Sequence, residues 1–210
     1  MNNMRKRAMA QFPIILLTLV SIIQALALEL VWGVIIEADY LWALTLNALV
    51  AWGTISVTLL CILQIWVLYS TMVIGFTWRP SLRDSILPFF LGLQEFVLIS
   101  FIGPSFSALW LYVLATMFLF ANYIAHLTFR RARSEPENAA FFRSRSPATW
   151  RDFIVPFAII ASFILFGVLH TALGSPNWLA LISIVFANLA LVMQMYGSRN
   201  LWRAILDSEE

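Results

Sequence analysis

The sequence of 210 residues has little charge and almost no cysteine. Only 11% of its residues are charged, 61% are hydrophobic, and its mean hydropathy is +0.86. Soluble domains carry about 25% charged residues, and a soluble fold of this size could not hide so much apolar surface. The single cysteine, Cys61, has no partner within the chain, which excludes a disulfide scaffold. The composition therefore predicts an integral membrane protein.

Long apolar stretches separate the charged residues and predict an all-α, polytopic membrane fold. A helix needs about 20 mainly apolar residues to cross a bilayer. Six predicted spans meet this length, at 12–36, 44–74, 85–102, 107–128, 153–173 and 178–196. The chain is then a single transmembrane domain over 1–210. Its one long connection, 129–151, is rich in arginine, serine and proline, and we expect it to be a flexible basic loop.

The basic residues indicate the orientation of these spans. The 13 lysines and arginines fall into short blocks at 5–7, 79–83, 130–151 and 199–203, and the other connections contain none. All of them therefore lie on one side, which the positive-inside rule assigns to the cytoplasm. This predicts three helical hairpins in the inner (plasma) membrane with both termini cytoplasmic. A cleavable signal peptide ending near Ala25-Leu26-Ala27 is an alternative for the first span.

A short motif recurs at the start of the third and fifth predicted spans. Residues 83–89 match residues 151–157 in the pattern R-D-x-I-[LV]-P-F. An aspartate near a helix start can accept hydrogen bonds from free backbone amides. Duplication of a hairpin and a shared signal for starting a helix at the membrane surface both explain the motif. Its Arg/Asp pairs also leave open a lipid-processing enzyme.

Ionisable residues inside predicted spans are functional candidates, because charge is costly in a bilayer. Glu29, Glu95 and His170 each lie in an odd-numbered span, from mid-bilayer outwards. We expect them to converge on a permeation or proton-coupling site, with Gln24 and Gln94 beside them. The alternative is that these groups form static hydrogen bonds with Gln24, Gln94 or one another.

Helical spacing adds further candidates. The second span carries a stripe of small and polar side chains in which Asn47, Thr54 and Thr58 are candidates to line a pore. Asn122 and His126 lie one turn apart in the fourth span and are candidates for a cytoplasmic mouth. The inward face of the first span is predicted to contain Ser21, Gln24, Ala25, Leu28 and Trp32.

The chain lacks the motifs of metalloproteases, serine hydrolases, dithiol oxidoreductases and phosphate-binding loops. No catalytic residue, metal site or cofactor is predicted. In its length, six spans and cytoplasmic termini, the chain resembles bacterial relatives of the lysosomal six-helix potassium channel. Ala27-Leu28-Glu29-Leu30 is similar to a stretch in that family's first helix, and the resemblance implies a channel. Ile14-Ile15-Leu16 stands where that family carries a Phe-Ser-Asp triplet, so no residue role is carried over.

These features predict a channel or transporter for a cation, a proton or a small solute. The alternative is a non-transporting membrane subunit or scaffold that assembles with a protein or lipid partner. Expected partners are the lipid bilayer, anionic lipid headgroups at the basic face, and a second copy or another membrane protein, but no nucleic acid. Convergence of Glu29, Glu95 and His170 would favour transport, and isolated positions would favour the subunit.

Overall fold

The computed structural model describes residues 3–79, 81–143 and 145–207, and these ranges are built from helices and their connections. The seven α-helices of the described ranges are α1 (Asn3–Glu37), α2 (Leu46–Gly75), α3 (Leu82–Ser100), α4 (Ala108–Ala132), α5 (Ala139–Phe142), α6 (Ile154–Leu173) and α7 (Asn177–Leu206). Short 3-10 helices at Asp39–Trp42, Pro136–Asn138 and Trp150–Phe153 precede α2, α5 and α6. The all-α prediction is confirmed. Ser144 of the predicted loop and the side chains of Arg5 and Lys6 lie outside the described part of the chain.

Several helices are suited to a membrane. Within the described ranges, five are long and apolar enough to cross one: Met9–Glu37, Leu46–Gly75, Ala108–Ala132, Trp150–Leu173 and Asn177–Leu206. They coincide with five of the six predicted spans and indicate a membrane protein. The remaining predicted span coincides with α3, which has 19 residues and carries Arg83, Asp84 and Glu95. At 1.5 Å per residue, α3 is about 28 Å long, close to the thickness of a hydrocarbon core.

The six long helices pack in a closed order. Starting from α1, each contacts the next in the sequence α1, α3, α4, α6, α7 and α2, and α2 contacts α1 again. α2 also contacts α3 and α4, so it lies nearest the middle of the bundle. The most extensive contacts join α2 to α7 and α4 to α6. The first of these interfaces joins two helices that are distant in sequence.

Polar contacts show that α2 and α7 run parallel. Three side-chain hydrogen bonds join them, and their positions rise together along both helices. In order, the pairs are Asn47–Asn177 at 2.7 Å, Ser56–Asn188 at 3.1 Å and Gln64–Ser198 at 2.8 Å. Such bonds are favourable between apolar helices, because the surrounding side chains offer no other polar partner.

Other contacts show that α4 runs antiparallel to both α3 and α6. The pairs are Phe90–Phe120 and Gln94–Thr116 between α3 and α4, and Phe118–Phe163 and His126–Phe153 between α4 and α6. The tight turn at Gly174 and Ser175, both with positive φ, reverses the chain from α6 into α7. The ends of α2, α4 and α7 and the starts of α3 and α6 consequently lie together, and this end of the bundle carries the basic residues.

The buried face of α1 differs from the predicted one. Leu16, Val20, Ile23, Ala27 and Val31 form the buried stripe, at spacings of three and four residues. Of the predicted face (Ser21, Gln24, Ala25, Leu28 and Trp32), only Gln24 is buried. The physical reason is that lipid and protein core are equally apolar, so an apolar side chain is stable on either side of a membrane helix.

The basic segment predicted as a flexible loop at 129–151 is partly folded onto the bundle. Phe141 and Phe142 in α5 are 6% and 9% exposed and pack against aromatic rings at the ends of α2 and α4. The side-chain amide of Asn138 donates to the carbonyl of Ala132 at 2.7 Å. The two phenylalanines give this otherwise polar segment an apolar surface to bury, which its composition as a whole conceals.

Candidate functional site

The three ionisable residues that were predicted to converge occupy separate positions. Glu29 is exposed on the outer surface of α1 and has no hydrogen-bond partner among the described residues. Glu95 is fully buried where α3 packs on α1, and His170 is fully buried where α6 packs on α7. Each buried group has its own partner, so the described contacts do not combine them into one site.

Glu95 forms a buried pair with Gln24, which is one of the alternatives expected from the sequence. The Gln24 side-chain amide donates to Glu95 Oε1 at 2.9 Å and to Oε2 at 3.2 Å. Glu95 is 0% and Gln24 is 6% exposed, and Gln24 Oε1 is a buried acceptor with no partner among the described residues. The pair joins α1 to α3 through a neutral donor. Within the described residues, neither of the two ion pairs involves this acid.

His170 is held by a different group. Its Nε2 lies 3.2 Å from the Ser183 hydroxyl, whose own proton is donated to the Leu179 carbonyl at 2.9 Å. With that proton used, the serine oxygen can accept from a ring that carries its proton on Nε2, and His170 Nδ1 is buried without a hydrogen-bond partner among the described residues. The ring also packs on Phe106, with centroids 4.6 Å apart. This arrangement holds the imidazole between α6 and α7.

The pore-lining candidates on α2 are engaged in packing. Asn47 accepts from Asn177 on α7, and Thr54 and Thr58 are buried. Both threonine hydroxyls donate to carbonyls one turn earlier in their own helix, at 2.9 Å. A hydroxyl bonded in this way has already used its donor within its own helix. Gln94, predicted to lie beside the acids, instead donates to a threonine on α4 at 3.0 Å.

An open cavity of about 850 Å³ lies at the basic end of the bundle, between the end of α4 and the start of α6. We term it the basic basin. Both residues predicted to form a cytoplasmic mouth line it: Asn122, which donates to a carbonyl of α4 at 2.7 Å, and His126, whose ring packs on Phe153. Its charged lining consists of Arg130, Arg133, Arg145 and Asp152.

Two of these arginines form hydrogen bonds across the folded segment around α5, which forms one wall of the basin. Arg133 donates to the carbonyls of Arg145 and Ser146 at 2.8 and 2.9 Å, and its guanidinium lies 4.6 Å from the Phe142 ring centroid. Arg145 donates to the Phe141 carbonyl at 2.7 Å and lies 3.8 Å above that ring. Neither arginine belongs to an ion pair of the described residues, so both charges remain unneutralised.

No protein-family model matches the sequence, and no curated protein or solved structure matches it. The resemblance to six-helix potassium channels therefore has no support from these comparisons. The function has to be argued from the side chains of this chain alone.

The recurring R-D motif is part of a longer motif that begins two residues earlier, at Ser81 and Thr149. Asp84 accepts from the backbone amide and hydroxyl of Ser81 at 2.7 and 2.9 Å, and Asp152 accepts from the same groups of Thr149 at 2.7 and 3.0 Å. A serine or threonine three residues before an acid is the sequence signal for this cap. Asp84 differs in one respect, because it also forms an ion pair with Arg131 at 2.6 Å.

Proposed function

We propose that the chain crosses the inner membrane six times as three hairpins, with α3 as the third crossing and the basic end in the cytoplasm with both termini. The alternating directions of α3, α4, α6 and α7 support this topology. The charges of α3 also support it, because Asp84 is paired with Arg131 at one end of the helix and Glu95 is satisfied inside the bundle. A charged helix can be accommodated when its polar groups face protein rather than lipid.

Labelling of single cysteines tests the topology, and the sole native cysteine makes a clean background possible through Cys61→Ser. We expect a membrane-impermeant maleimide to label Ser105→Cys, between α3 and α4, in intact cells or spheroplasts. Ser146→Cys, at the basic end, should be labelled only after permeabilisation. Labelling of both variants from the same side would show that α3 does not cross the membrane.

Within this topology, we infer that the protein is a non-transporting membrane subunit that assembles with a partner at its cytoplasmic end. The observation that carries this proposal is the separation of Glu29, Glu95 and His170. Coupled transport needs groups that exchange a proton or an ion along a route. Here Glu95 and His170 are each hydrogen-bonded to an uncharged side chain, and Glu29 is exposed on the outside of the bundle.

A second candidate function is proton or cation transport through the Glu95–Gln24 pair. A buried carboxyl without a cation is far more stable when it holds a proton. The free acceptor Gln24 Oε1 lies on the same side chain that already donates to the acid. One rotation of the amide would let the protonated acid donate to that oxygen, so this pair could take up and release one proton.

A flux measurement separates the two functions. We expect purified protein in proteoliposomes to conduct protons, potassium and sodium no faster than protein-free liposomes do. Flux that is lost in Glu95→Gln but kept in Glu29→Gln, the matched change at an exposed acid, would overturn the subunit proposal in favour of transport.

A further inference from the structure

The basic basin concentrates positive charge that the described chain does not neutralise. Three arginines and one acid line it, and that acid, Asp152, already accepts two hydrogen bonds from Thr149. The two ion pairs of the described residues use Arg79 and Arg131, which are not part of the basin lining. An anionic ligand would therefore meet three arginines against one aspartate, and none of these arginines belongs to an ion pair of the described residues.

The arginines differ in how firmly they are held. Arg133 and Arg145 are each fixed by backbone carbonyls and a phenylalanine ring, so their guanidinium groups lose little freedom on binding a ligand. Arg130, in the last turn of α4, is exposed and can close over a ligand. Planar guanidinium groups suit phosphate, which can accept two parallel hydrogen bonds from each.

The rest of the lining is apolar. It contains Phe129 of α4, Phe153 of the 3-10 helix before α6, Pro156 of α6 and Leu201 of α7, beside the aromatic rings of α5. A small soluble anion would make no use of this surface. An amphiphile would use both surfaces, because its phosphate could meet the arginines while its apolar part covers the phenylalanines. The volume of about 850 Å³ is within the usual range for sites that take small molecules.

We propose that the basic basin is a specific site for an anionic phospholipid of the cytoplasmic leaflet, whose phosphate is held by Arg130, Arg133 and Arg145. The inference rests on the proposed function, since the topology puts the basin at the cytoplasmic surface of the membrane, and it names the partner of the subunit. General attraction of anionic lipids to basic residues would act on all arginines at this end. In a specific site, only the arginines that line the basin contribute to binding.

The test uses the full chain in neutral detergent with short-chain, monomeric lipids, so that no charged membrane surface is present. Binding of dihexanoyl phosphatidylglycerol is measured by calorimetry and by the shift in melting temperature. Dihexanoyl phosphatidylcholine and inorganic phosphate serve as the other two ligands. Arg130→Gln/Arg145→Gln is the basin variant. Arg151→Gln/Arg203→Gln is its matched control, since both residues are exposed at the same end and are not part of the basin lining.

We expect phosphatidylglycerol to bind to the wild type and to raise its melting temperature, with little effect of phosphatidylcholine or phosphate. The basin variant should bind about 25-fold more weakly, at roughly a factor of 5 for each of the two arginines. The control should stay within about threefold of the wild type. Three results would each overturn the proposal: equal losses in both variants, no loss in the basin variant, or equal protection by inorganic phosphate. Ion flux in the separate liposome assay would contradict the subunit function without touching this binding result.

Discussion

Replacing Gln24 with leucine should destabilise the folded protein by about 3 kcal/mol, the largest effect expected of a single substitution outside the apolar core. The Gln24 amide is the sole hydrogen-bond donor to Glu95 among the described residues, and both side chains are buried. Its removal leaves the acid without a partner in an apolar environment, where neither water nor a cation can replace the bond. Reversible unfolding in mixed micelles, followed by tryptophan fluorescence, would measure the loss.

The double variant Gln24→Leu/Glu95→Leu separates the cost of an orphaned acid from the value of the pair. Removing both polar groups should recover most of the lost stability, because two apolar side chains pack without a desolvation penalty. Gln94→Leu is the matched control, since the amide of this half-buried residue donates to Thr116, which is exposed. We expect a cost below about 1 kcal/mol there. A double variant as unstable as Gln24→Leu would show that packing, and not the orphaned acid, determines the effect.

The two copies of the R-D motif should respond differently to the same substitution. Asp84→Asn should cost about 2 kcal/mol and Asp152→Asn less than about 1 kcal/mol. Both aspartates cap a helix in the same way, but Asp84 alone is paired with an arginine, Arg131, whose side chain is 30% exposed against 9% for the acid. The same unfolding measurement applies, and the difference between the two variants isolates the ion pair.

Arg131→Gln supplies the control for this comparison. Combined with Asp84→Asn, it should add little further loss, because the interaction is already broken. Arg131→Gln combined with Asp152→Asn should instead give additive losses of stability. Equal costs for the two aspartate variants would mean that the caps alone stabilise both helix starts and that the Arg131 ion pair contributes nothing measurable.

The positions of the helices could be predicted from the sequence, because long apolar runs bounded by polar residues have one stable form in a membrane. All six predicted spans coincide with helices of the structure. Two helices are about ten residues longer than predicted: α1 begins at Asn3 and not at residue 12, and α7, predicted to end at Tyr196, continues to Leu206. Helix formation continues past the hydrophobic run there, because Leu201 and Ile205 still pack on the bundle while the arginines face outwards.

The candidate site was less predictable. The sequence offered Gln24 among the possible partners of Glu95, and that pairing is confirmed. It did not indicate that Glu29 and His170 would be separate from this pair. The sequence also did not show that Arg133 and Arg145 would form hydrogen bonds across the segment around α5. Their acceptors are backbone carbonyls that come within reach only when the chain folds.

By itself, the sequence determined the membrane class, the places where helices form, and the gathering of arginines between alternate helices. These properties follow from local composition, since the cost of charge and of free backbone groups in lipid acts on each segment separately. Only the tertiary structure decided which face of each helix is buried, which polar side chains become partners, and that an unneutralised basic basin forms beside α5. Lipid and protein core are alike in polarity, so the inner face of such a helix depends on the shapes and hydrogen bonds of the helices that it meets.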